Sequence, residues 1–517
     1  MYKLGIDVGG TNTDAVLIDE DLNVVAAVKN PTSDDIYTGI MGAVDAVLAD
    51  GGVDRAQIAQ AMLGTTQCTN AIVERKGLAP IAILRIGTPA TVGIPPMVDW
   101  ADDIAAVCVD ALVIEGGFEY DGKRLAEFDE AACRAFFEGV KSRVEAVAVS
   151  SVFSTVRNDD ELRAATIARE VLGEDVHVSI SSEIGSMGLI ERENATILNA
   201  ALYDVARTTA DSFEAALASE GLTDVAVYLG QNDGTLMSVD YAKRYPIFTI
   251  ACGPTNSIRG ASFLTQEKDA VVVDIGGTTT DVGVLAHGFP RESMVAVEIG
   301  DVRTNFRMPD LVSVGLGGGS LVRQLEDGSM TVGPDSVGYL VTKKARCFGG
   351  DTLTATDIVV AKGLAEGVGD PALVADLDPA LVDAAYVEIT RIIEDAVDAM
   401  KTSAGDVTVI LVGGGSILAP DQLEGSDNVL RPENFGVANA VGSAIAQVSG
   451  QIAKVFSLTE TPRDQALAES KQRACDEAIE AGADPSTVEV VDVEDIPMAY
   501  LGDALCIRVK AVGDLML

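Results

Sequence analysis

Histidine and basic residues are scarce in this chain of 517 residues. It contains two histidines, His177 and His287, and 37 Lys and Arg against 79 Asp and Glu, which gives a net charge of −42. Two histidines leave few candidates for a Cys–His catalytic pair or a histidine-based zinc site. The acidic balance provides no basic face, so neither a nucleic acid nor an anionic membrane is expected as a partner. It is typical of a solvated surface that keeps a concentrated protein soluble.

Long hydrophobic runs and cysteine pairs are also missing. No apolar run reaches the ~20 residues that a membrane-spanning helix needs. The start of the chain, Met1-Tyr2-Lys3, leads into a strand-like segment without the pattern of a signal peptide. Seven cysteines are scattered and never spaced C-x-x-C, which indicates reduced thiols. These absences predict a cytoplasmic protein, and its length and 48% hydrophobic content predict more than one domain.

The most informative feature that is present is a repeated motif. The segment from Ile6 to Asp14 (IDVGGTNTD) recurs from Val273 to Asp281 (VDIGGTTTD), with six of the eight positions from each first aspartate onward identical. Each copy begins and ends in an apolar, β-branched run, which predicts a strand, a tight turn and a second strand. Two such turns in one chain indicate two related half-domains that grip one polyphosphate.

The residue types in both turns suit a phosphate ligand with a metal ion. Glycines allow the backbone to approach closely, and amides and hydroxyls wrap an oxyanion. Asp7 and Asp274, at the strand ends, are predicted to hold Mg²⁺, mostly through water, and to be the catalytic carboxylates. For a single aspartate the alternative is a turn residue that caps local amides. The predicted phosphate-binding residues are Gly9, Gly10, Thr11, Asn12, Thr13, Gly276, Gly277, Thr278, Thr279 and Thr280.

Strand-like and helix-like segments alternate along the chain, which predicts an α/β layered fold. Among the predicted helices are 55–60 and one long helix from Glu191 to Glu220 that bridges the halves. A buried strand at 407–412 leads into a third glycine turn, Gly413-Gly414-Gly415-Ser416. We expect a first lobe at 1–185, a second at 186–450 and a small α+β appendage at 451–517.

These three glycine turns, in this order, resemble the nucleotide site of the actin, sugar kinase and Hsp70 ATPase superfamily. The resemblance implies two duplicated actin-like (ribonuclease H-like) lobes around a nucleotide cleft, with ATP and Mg²⁺ as cofactors. It also implies that Gly413, Gly414, Gly415 and Ser416 contact the adenosine. A plain strand–helix turn is the alternative for that third segment.

Further segments narrow the resemblance to the hydantoinase/oxoprolinase family, A-type subunit. They are Ile6–Asp14, Gly64–Gly77 (GTTQCTNAIVERKG), Glu191-Arg192 with Asn199-Ala200, Gly253-Pro254 with Gly260-Ala261, and Asp274–Val282. The similarity spans about residues 3–450 in the family's order. It implies an ATP-dependent opening of a cyclic amide such as a hydantoin or 5-oxoproline, with a separate B-type subunit as a partner. Association of identical chains is left open.

Two departures from the family's pattern concern histidine. Leu63 stands where a histidine usually precedes Gly-Thr-Thr, and Val312 stands where one often precedes the Gly315–Ser320 loop. Metal binding or acid–base work that such a histidine supports in relatives is therefore in doubt here. The segment Ile94–Trp100 resembles a shorter branch of the family.

Substrate contacts are predicted on both sides of the cleft. Thr65, Thr66, Asn70 and Arg75 form one candidate set, with a self-capped helix start as the alternative. Asn232, with Gln231 and Asp233, is placed on the opposite wall. No general base is identified, although Asp7, Asp233 or Asp274 has the chemistry to orient a water molecule.

Two other functions remain open at this point. A small-molecule kinase on the same fold would release a stable phosphorylated product. An ATP-driven reactivating or assembly factor would respond to a protein instead of a small molecule. Dehydratase activators with an iron–sulfur cluster are disfavoured, because the cysteines are dispersed.

Overall fold

The computed structural model describes residues 1–9, 12–31, 36–185, 187–293, 297–306, 308–459, 461–498 and 503–516. The first elements are a three-stranded antiparallel ribbon, a helix and a fourth strand. They are β1 (Tyr2–Val8), β2 (Asn12–Ile18), β3 (Val24–Pro31), α1 (Ile36–Gly51) and β4 (Ile58–Thr65). β4 lies parallel to β1, and the side chains of both strands are almost all buried.

A smaller parallel sheet with its own helices follows, in the order β6-β5-β7-β8. Its elements are α2 (Gln67–Glu74), β5 (Ile81–Thr88), α3 (Asp102–Ala105), β6 (Cys108–Glu115), α4 (Glu130–Val140), β7 (Ala146–Ser151), α5 (Asp159–Leu172) and β8 (His177–Ile180). The chain then returns to the first sheet through α6 (Leu189–Ala201), α7 (Tyr203–Ser219), β9 (Ala226–Gly230), β10 (Leu236–Ser238), α8 (Val239–Arg244) and α9 (Cys252–Thr265).

The second lobe repeats the start of the first. Its elements are β11 (Ala270–Ile275), β12 (Thr280–Ala286), β13 (Phe289–Pro290), β14 (Val297–Ile299), β15 (Val302–Thr304), β16 (Leu311–Val314), β17 (Ser320–Gln324), β18 (Met330–Ser336), α10 (Val341–Lys344), α11 (Ala355–Ala361), α12 (Pro379–Met400), β19 (Val407–Val412), β20 (Ser426–Leu430) and α13 (Ala438–Ile445). β11 pairs antiparallel with β12 and parallel with β19, as β1 pairs with β2 and β4. The predicted duplication is therefore present.

The C-terminal elements extend the sheet of the first lobe. They are β21 (Val448–Ser457), α14 (Arg463–Glu480), β22 (Glu489–Pro497) and β23 (Ala504–Gly513). The nine strands run in the order β22-β23-β21-β10-β9-β4-β1-β2-β3, and α14 packs on β21 and β23. The segment expected as an appendage thus shares hydrogen bonds and core with the first lobe. The domain boundaries themselves stay predictions.

Two predicted helices differ from the structure. Residues 55–60 form a short 3₁₀ turn, Arg55–Gln57, capped by the Asp54 side chain, and β4 begins at Ile58. This prediction was wrong because pairing with β1 and β9 on both sides outweighs the local helical pattern. The long helix expected from Glu191 to Glu220 is two helices, α6 and α7, which meet at Leu202. Among the described residues, no helix is both long and apolar enough to span a membrane.

Helices α9 and α13 cross in close contact between the two sheets. A Cβ atom on Gly260 would overlap the carbonyl oxygen of Ala438, and one on Gly442 would overlap the carbonyl oxygen of Asn256. α13 also packs on β1, β2 and β4, whereas α9 packs on β11 and β12. The crossing therefore connects the lobes backbone to backbone, and only glycine fits at both positions.

We expect Gly442→Ala to destabilise the protein by about 1–3 kcal/mol or more, because the added methyl group meets backbone that cannot move aside. Gly139→Ala is the matched control, since Gly139 lies in α4 with no neighbour near its Cβ position and alanine favours a helix. Urea denaturation of both variants checks this prediction. Equal stability of the two variants would contradict the close crossing.

Candidate functional site

The two repeated aspartates occupy equivalent positions in the two sheets. Asp7 is paired across the ribbon with Asp14, and Asp274 with Asp281. A glycine of the parallel neighbouring strand lies beside each of them: Gly64, which is paired with Asp7 in β4, and Gly413, which directly follows β19. A Cβ atom on either glycine would overlap the Oδ1 atom of the adjacent aspartate. Glycine at these positions therefore gives each carboxylate its space.

Burial and mutual repulsion raise the pKa values of these carboxyl groups. Burial, followed by the charges of Asp14 and Asp274, raises the pKa of Asp7 to about 7. Burial also raises the pKa of Asp274, and it raises the pKa of Asp281 to about 6. Carboxylates from both lobes thus converge on one cleft, where their negative charge is poorly solvated. Such a site favours the entry of a cation.

The crossing helices orient the two carboxylates. Asn439 of α13 donates from Nδ2 to Oδ2 of Asp7 over 2.8 Å, and Ser257 of α9 donates from Oγ to Oδ2 of Asp274 over 2.5 Å. In both cases the other carboxylate oxygen, Oδ1, faces the neighbouring glycine. Sequence reasoning missed Asn439 and Ser257. In α13 the available signal was Asn439, one of two polar residues in a helix of small and apolar residues. In α9 there was no such signal, because Ser257 is one of several polar residues.

Lys29 is a cation in the cleft that the sequence reasoning also missed. It is opposite Asp14 in the β2–β3 pairing, and its Nζ atom lies 2.7 Å from Oδ2 of Asp14. Its charge also lowers the pKa of Asp7 and Asp274, opposing the effect of burial. A Cβ atom on Gly414, in the other lobe, would lie 3.6 Å from Cε of Lys29. Lys29 therefore links the first turn to the third across the cleft.

The two turns close in the same way. The amide of Gly9 donates to the carbonyl of Asn12 over 3.0 Å, and the amide of Gly276 donates to the carbonyl of Thr279 over 2.9 Å. These two amides are therefore used inside the turns, not by a ligand as predicted. In the second turn Thr278 and Thr279 are exposed, and Gly318 and Gly319 donate to the carbonyls of Gly276 and Gly277. The Gly315–Ser320 loop thus supports the second turn from behind.

The predicted phosphate-binding residues separate into two groups. Thr13 and Thr280 are fully buried, and the Thr280 hydroxyl donates to the carbonyl of Leu316. These two side chains point into the core and do not reach the surface of the cleft, so phosphate contact by them is an untested prediction that the structure does not favour. Asn12, Gly277, Thr278 and Thr279 reach the surface of the cleft. Gly10 and Thr11 lie outside the described residues.

The third glycine turn packs onto the second. Gly413 has a positive φ of 82°, and the amide of Gly415 donates to the carbonyl of Ile275 over 2.7 Å. Gly414 is exposed toward the cleft, whereas Ser416 is buried, with a hydroxyl that has no hydrogen-bond partner in the described part of the chain. Adenosine contact by this segment stays a prediction, and the exposed Gly414 is its most accessible member.

The structure changes the interpretation of three predicted substrate or base residues. Arg75 is held by Asp103, Asp301 and the carbonyls of Ile72 and Gly300, so its charge is already matched. Thr65 is buried, with its hydroxyl accepting from the amide of Gln67. Asp233 forms a buried ion pair with Lys510 at 2.8 Å, so its charge is already matched. These residues stabilise the fold around the cleft.

Thr66, Asn70 and Asn232 remain candidates for substrate contact. Thr66 and Asn70 are partly exposed. Nδ2 of Asn70 donates a long hydrogen bond of 3.4 Å to Oγ1 of Thr66. Asn232 is buried and lines a large cavity next to β9. Leu63, at the position where the family resemblance suggests a histidine, is a buried residue of β4.

The residues around Asp7 fit a hydrated divalent cation. Asp7 Oδ1 is buried and has no hydrogen-bond partner in the described residues, so it is an acceptor that lacks a ligand. Within those residues, no group of three or more His, Cys, Asp or Glu side chains forms a complete metal cage. Mg²⁺ keeps several water molecules and needs one or two carboxylates, which the facing pair of Asp7 and Asp274 supplies.

Comparison with known proteins agrees with this architecture. The family model for the hydantoinase/oxoprolinase N-terminal region matches residues 3–172, and the hydantoinase/oxoprolinase model matches residues 192–367. Together they span about two thirds of the chain. The second boundary falls inside α6, where the chain passes from the small parallel sheet back to the first sheet.

Two curated relatives illustrate the range of activities. The caprolactamase subunit alpha of Pseudomonas jessenii is 26% identical over 86% of this chain and 65% of its own length. The acetone carboxylase beta subunit of Xanthobacter autotrophicus is 25% identical over 70% of this chain and 54% of its own length. The chain therefore spans between half and two thirds of the length of these relatives.

Two solved structures share the fold over the whole chain. The ATP-dependent caprolactamase from Pseudomonas jessenii has a TM-score of 0.78, and nucleotide-free acetone carboxylase has a TM-score of 0.72. Each is 19% identical, and each match covers 100% of this chain and 88% of the other. The predicted fold class, α/β with duplicated actin-like lobes, is confirmed.

The raised pKa of Asp7 predicts a specific pH dependence of stability. Between its ordinary value of 3.8 and about 7, the folded protein keeps a proton that the unfolded chain releases. Stability therefore falls as pH rises through this range. We expect Asp7→Asn, without metal or nucleotide, to be more stable than the parent by a few kcal/mol at pH 8, since each pKa unit is worth about 1.4 kcal/mol.

The advantage of Asp7→Asn should shrink toward zero by pH 4–5, where the native Asp7 is itself protonated. Thermal denaturation between pH 5 and 8 measures it, with Asp21→Asn, an exposed carboxylate, as the control. A destabilised Asp7→Asn at pH 8 would show that the cleft holds this carboxylate without strain.

Proposed function

The chain belongs to the hydantoinase/oxoprolinase family, and on that premise we propose that it binds Mg·ATP between its two Asp–Gly–Gly turns and uses it to open a cyclic amide. The observation that carries the proposal is the pair of carboxylates, the buried Asp7 and the partly buried Asp274, one from each lobe, in equivalent strand–turn–strand units. The relatives named caprolactamase and 5-oxoprolinase support the same reaction class.

The first step of the proposal is nucleotide binding. Mg²⁺ bound through water to Asp7 and Asp274 would offset their repulsion and bridge them to the phosphates of ATP. The backbone of the exposed second turn, at Gly277, Thr278 and Thr279, offers amide donors to phosphate oxygens. Lys29 adds a positive charge on the opposite side of the cleft, where it is paired with Asp14.

The second step is activation of the amide. An unstrained cyclic amide is a poor electrophile, and phosphorylation of its carbonyl oxygen turns that oxygen into a leaving group. Water then attacks the carbonyl carbon, the ring C–N bond breaks, and the ring nitrogen takes up a proton, which leaves an acyl phosphate. A second water molecule hydrolyses this acyl phosphate to the carboxylate and phosphate, and ADP is released. The crossing of α9 and α13 allows the lobes to close over both substrates, which excludes bulk water from the activated species.

A partner subunit is part of the proposal. Two relatives are themselves named as subunits, one of caprolactamase and one of acetone carboxylase. This chain matches 65% of the length of the first and 54% of the length of the second. We propose that a hydantoinase B-type subunit completes turnover. We also place the protein in the cytoplasm, where thiols are kept reduced, because its seven cysteines are scattered and never spaced C-x-x-C.

Phosphate release from Mg·ATP, measured against a panel of hydantoins, 5-oxoproline and larger lactams, tests the reaction. We expect at least one cyclic amide to stimulate release, with ring-opened product formed in proportion to phosphate. A phosphorylated product that accumulates instead would identify a kinase. Stimulation by a protein alone, with and without a B-type subunit, would identify a reactivating factor.

Substitution of either aspartate tests the role of the carboxylate pair. We expect Asp7→Asn and Asp274→Asn each to lower Mg·ATP-dependent phosphate release at least 100-fold, as the loss of one preorganised charge at a reacting centre does. Both variants should remain folded, because asparagine fills the same volume. The exposed Asp21→Asn should retain parental activity. Near-parental rates in both cleft variants would refute the proposed magnesium site.

A further inference from the structure

A second large feature lies beside the nucleotide cleft. A cavity of about 800 Å³ is enclosed by β10, β21, α8 and α14, together with segments 182–185 and 305–306. This volume lies within the range of pockets that hold drug-sized ligands. It greatly exceeds what an unsubstituted five-membered lactam would fill.

One wall of the cavity is aromatic and firmly held. Ring centroids are 4.6 Å apart for Tyr241 and Tyr245, 5.9 Å for Tyr245 and Phe248, and 6.3 Å for Phe248 and Phe306. The Tyr245 hydroxyl donates to Oε2 of Glu183 over 2.5 Å, which fixes the ring. Such a wall binds the flat or apolar part of a ligand.

The other end of the cavity carries carboxamide side chains. Gln231, Asn232, Asn305 and Gln451 all line it. Gln451 donates to Asp233, and Asn305 donates to the carbonyl of Met187 over 2.7 Å, so both amides have a fixed orientation. A carboxamide offers one donor and one acceptor side by side, and a cyclic amide presents the complementary pair.

The acidic and basic side chains that line the cavity are equal in number. Three acidic and three basic side chains line it: Glu183, Glu477, Glu480, Lys454, Arg473 and Arg508. Three of these are already paired with residues outside the lining. Glu183 is paired with Arg244, Lys454 with Glu469, and Arg508 with Glu494. The cavity therefore has no excess of positive charge to bind an anionic substrate.

The carboxamide end lies close to the carboxylates of the cleft. Leu229 of β9 is opposite Leu63 of β4, so Gly230 comes next to Gly64, which is opposite Asp7. Gln231 and Asn232 follow directly and lie two strands from Asp7, at a spacing of about 4.8 Å per strand. A ligand that fills the cavity thus brings one end to within roughly 10 Å of the catalytic centre before the lobes close.

We propose that this cavity is the substrate pocket and that the substrate is a neutral cyclic amide with a bulky apolar or aromatic substituent. Its amide group faces Gln231 and Asn232, and its substituent lies against Tyr241 and Phe248. This inference rests on the proposed function. It adds that the preferred substrate is uncharged and larger than 5-oxoproline, because the acidic and basic side chains that line the cavity are equal in number.

Binding of 5-benzylhydantoin, a neutral cyclic amide with an aromatic substituent, tests the pocket directly. Calorimetry on the whole chain should detect it, with 5-oxoproline binding at least tenfold more weakly. Tyr241→Ala removes a half-exposed ring from the wall, and Ala453→Trp places a large side chain at an exposed lining position. Each should weaken 5-benzylhydantoin binding about tenfold or more. Tyr120→Ala, which removes an equally exposed ring far from the cavity, is the control.

ATP binding by the same variants separates the two proposals. Tyr241→Ala and Ala453→Trp should bind Mg·ATP within twofold of the parent, because neither residue touches the glycine turns. Parental affinity of both variants for 5-benzylhydantoin, or tighter binding of 5-oxoproline, would refute the pocket while leaving the amidase reaction in place. Binding that follows the pocket variants, without amide-dependent phosphate release even with a B-type subunit, would instead refute the proposed reaction.

Discussion

Repulsion between acidic side chains from two lobes is the constraint around which the cleft is organised. The charge of Asp274 helps to raise the pKa of the buried Asp7, and the charge of Asp14 helps to raise the pKa of the partly buried Asp274. Burial of like charges is unfavourable unless a cation or hydrogen-bond donors compensate for it. The protein supplies one neutral donor to each carboxylate and one lysine nearby. This partial compensation is compatible with a further positive charge, which the proposed Mg²⁺ would provide.

The same two donors link the carboxylates of the cleft to the helix crossing between the lobes. Asn439 and Ser257 lie on the two helices that cross at Gly260 and Gly442. A change in the crossing angle would therefore move the donors relative to the carboxylates and alter how well each charge is stabilised. If the proposed closure changes that angle, it also changes the hydrogen bonds to both carboxylates. At the crossing the two helices approach each other through backbone atoms at Gly260 and Gly442.

The sequence predicted the parts of the site that are local in the chain. A strand, a tight glycine turn and a second strand follow from nine consecutive residues, and their repetition predicted the duplicated lobes. Lys29, Asn439 and Ser257 were not predicted, since each reaches its carboxylate through pairing or packing with a distant segment. Burial of Thr13 and Thr280 depends on where the turn ends and the strand begins, a boundary that a pattern of hydroxyl residues does not fix.

Contacts with distant segments also determined the structure of the elements that were predicted incorrectly from the sequence. The β4 strand joins two other strands in the middle of a nine-stranded sheet, and this pairing determined its structure against a helical pattern in its first residues. The C-terminal strands extend that sheet, and they bring Gln451 and Arg508 to the cavity beside the cleft. The proposed substrate pocket is thus assembled from segments more than 200 residues apart. No sequence motif that we identified predicts its position.

The most direct test of the account is the position of the metal ion. A crystal structure with Mn²⁺ and a non-hydrolysable ATP analogue would locate the ion by its anomalous scattering. We expect one ion between Asp7 and Asp274, reached mostly through water, with the phosphates spanning the two Asp–Gly–Gly turns. Nucleotide bound elsewhere, or an ion held by only one lobe with the other aspartate turned away, would contradict it.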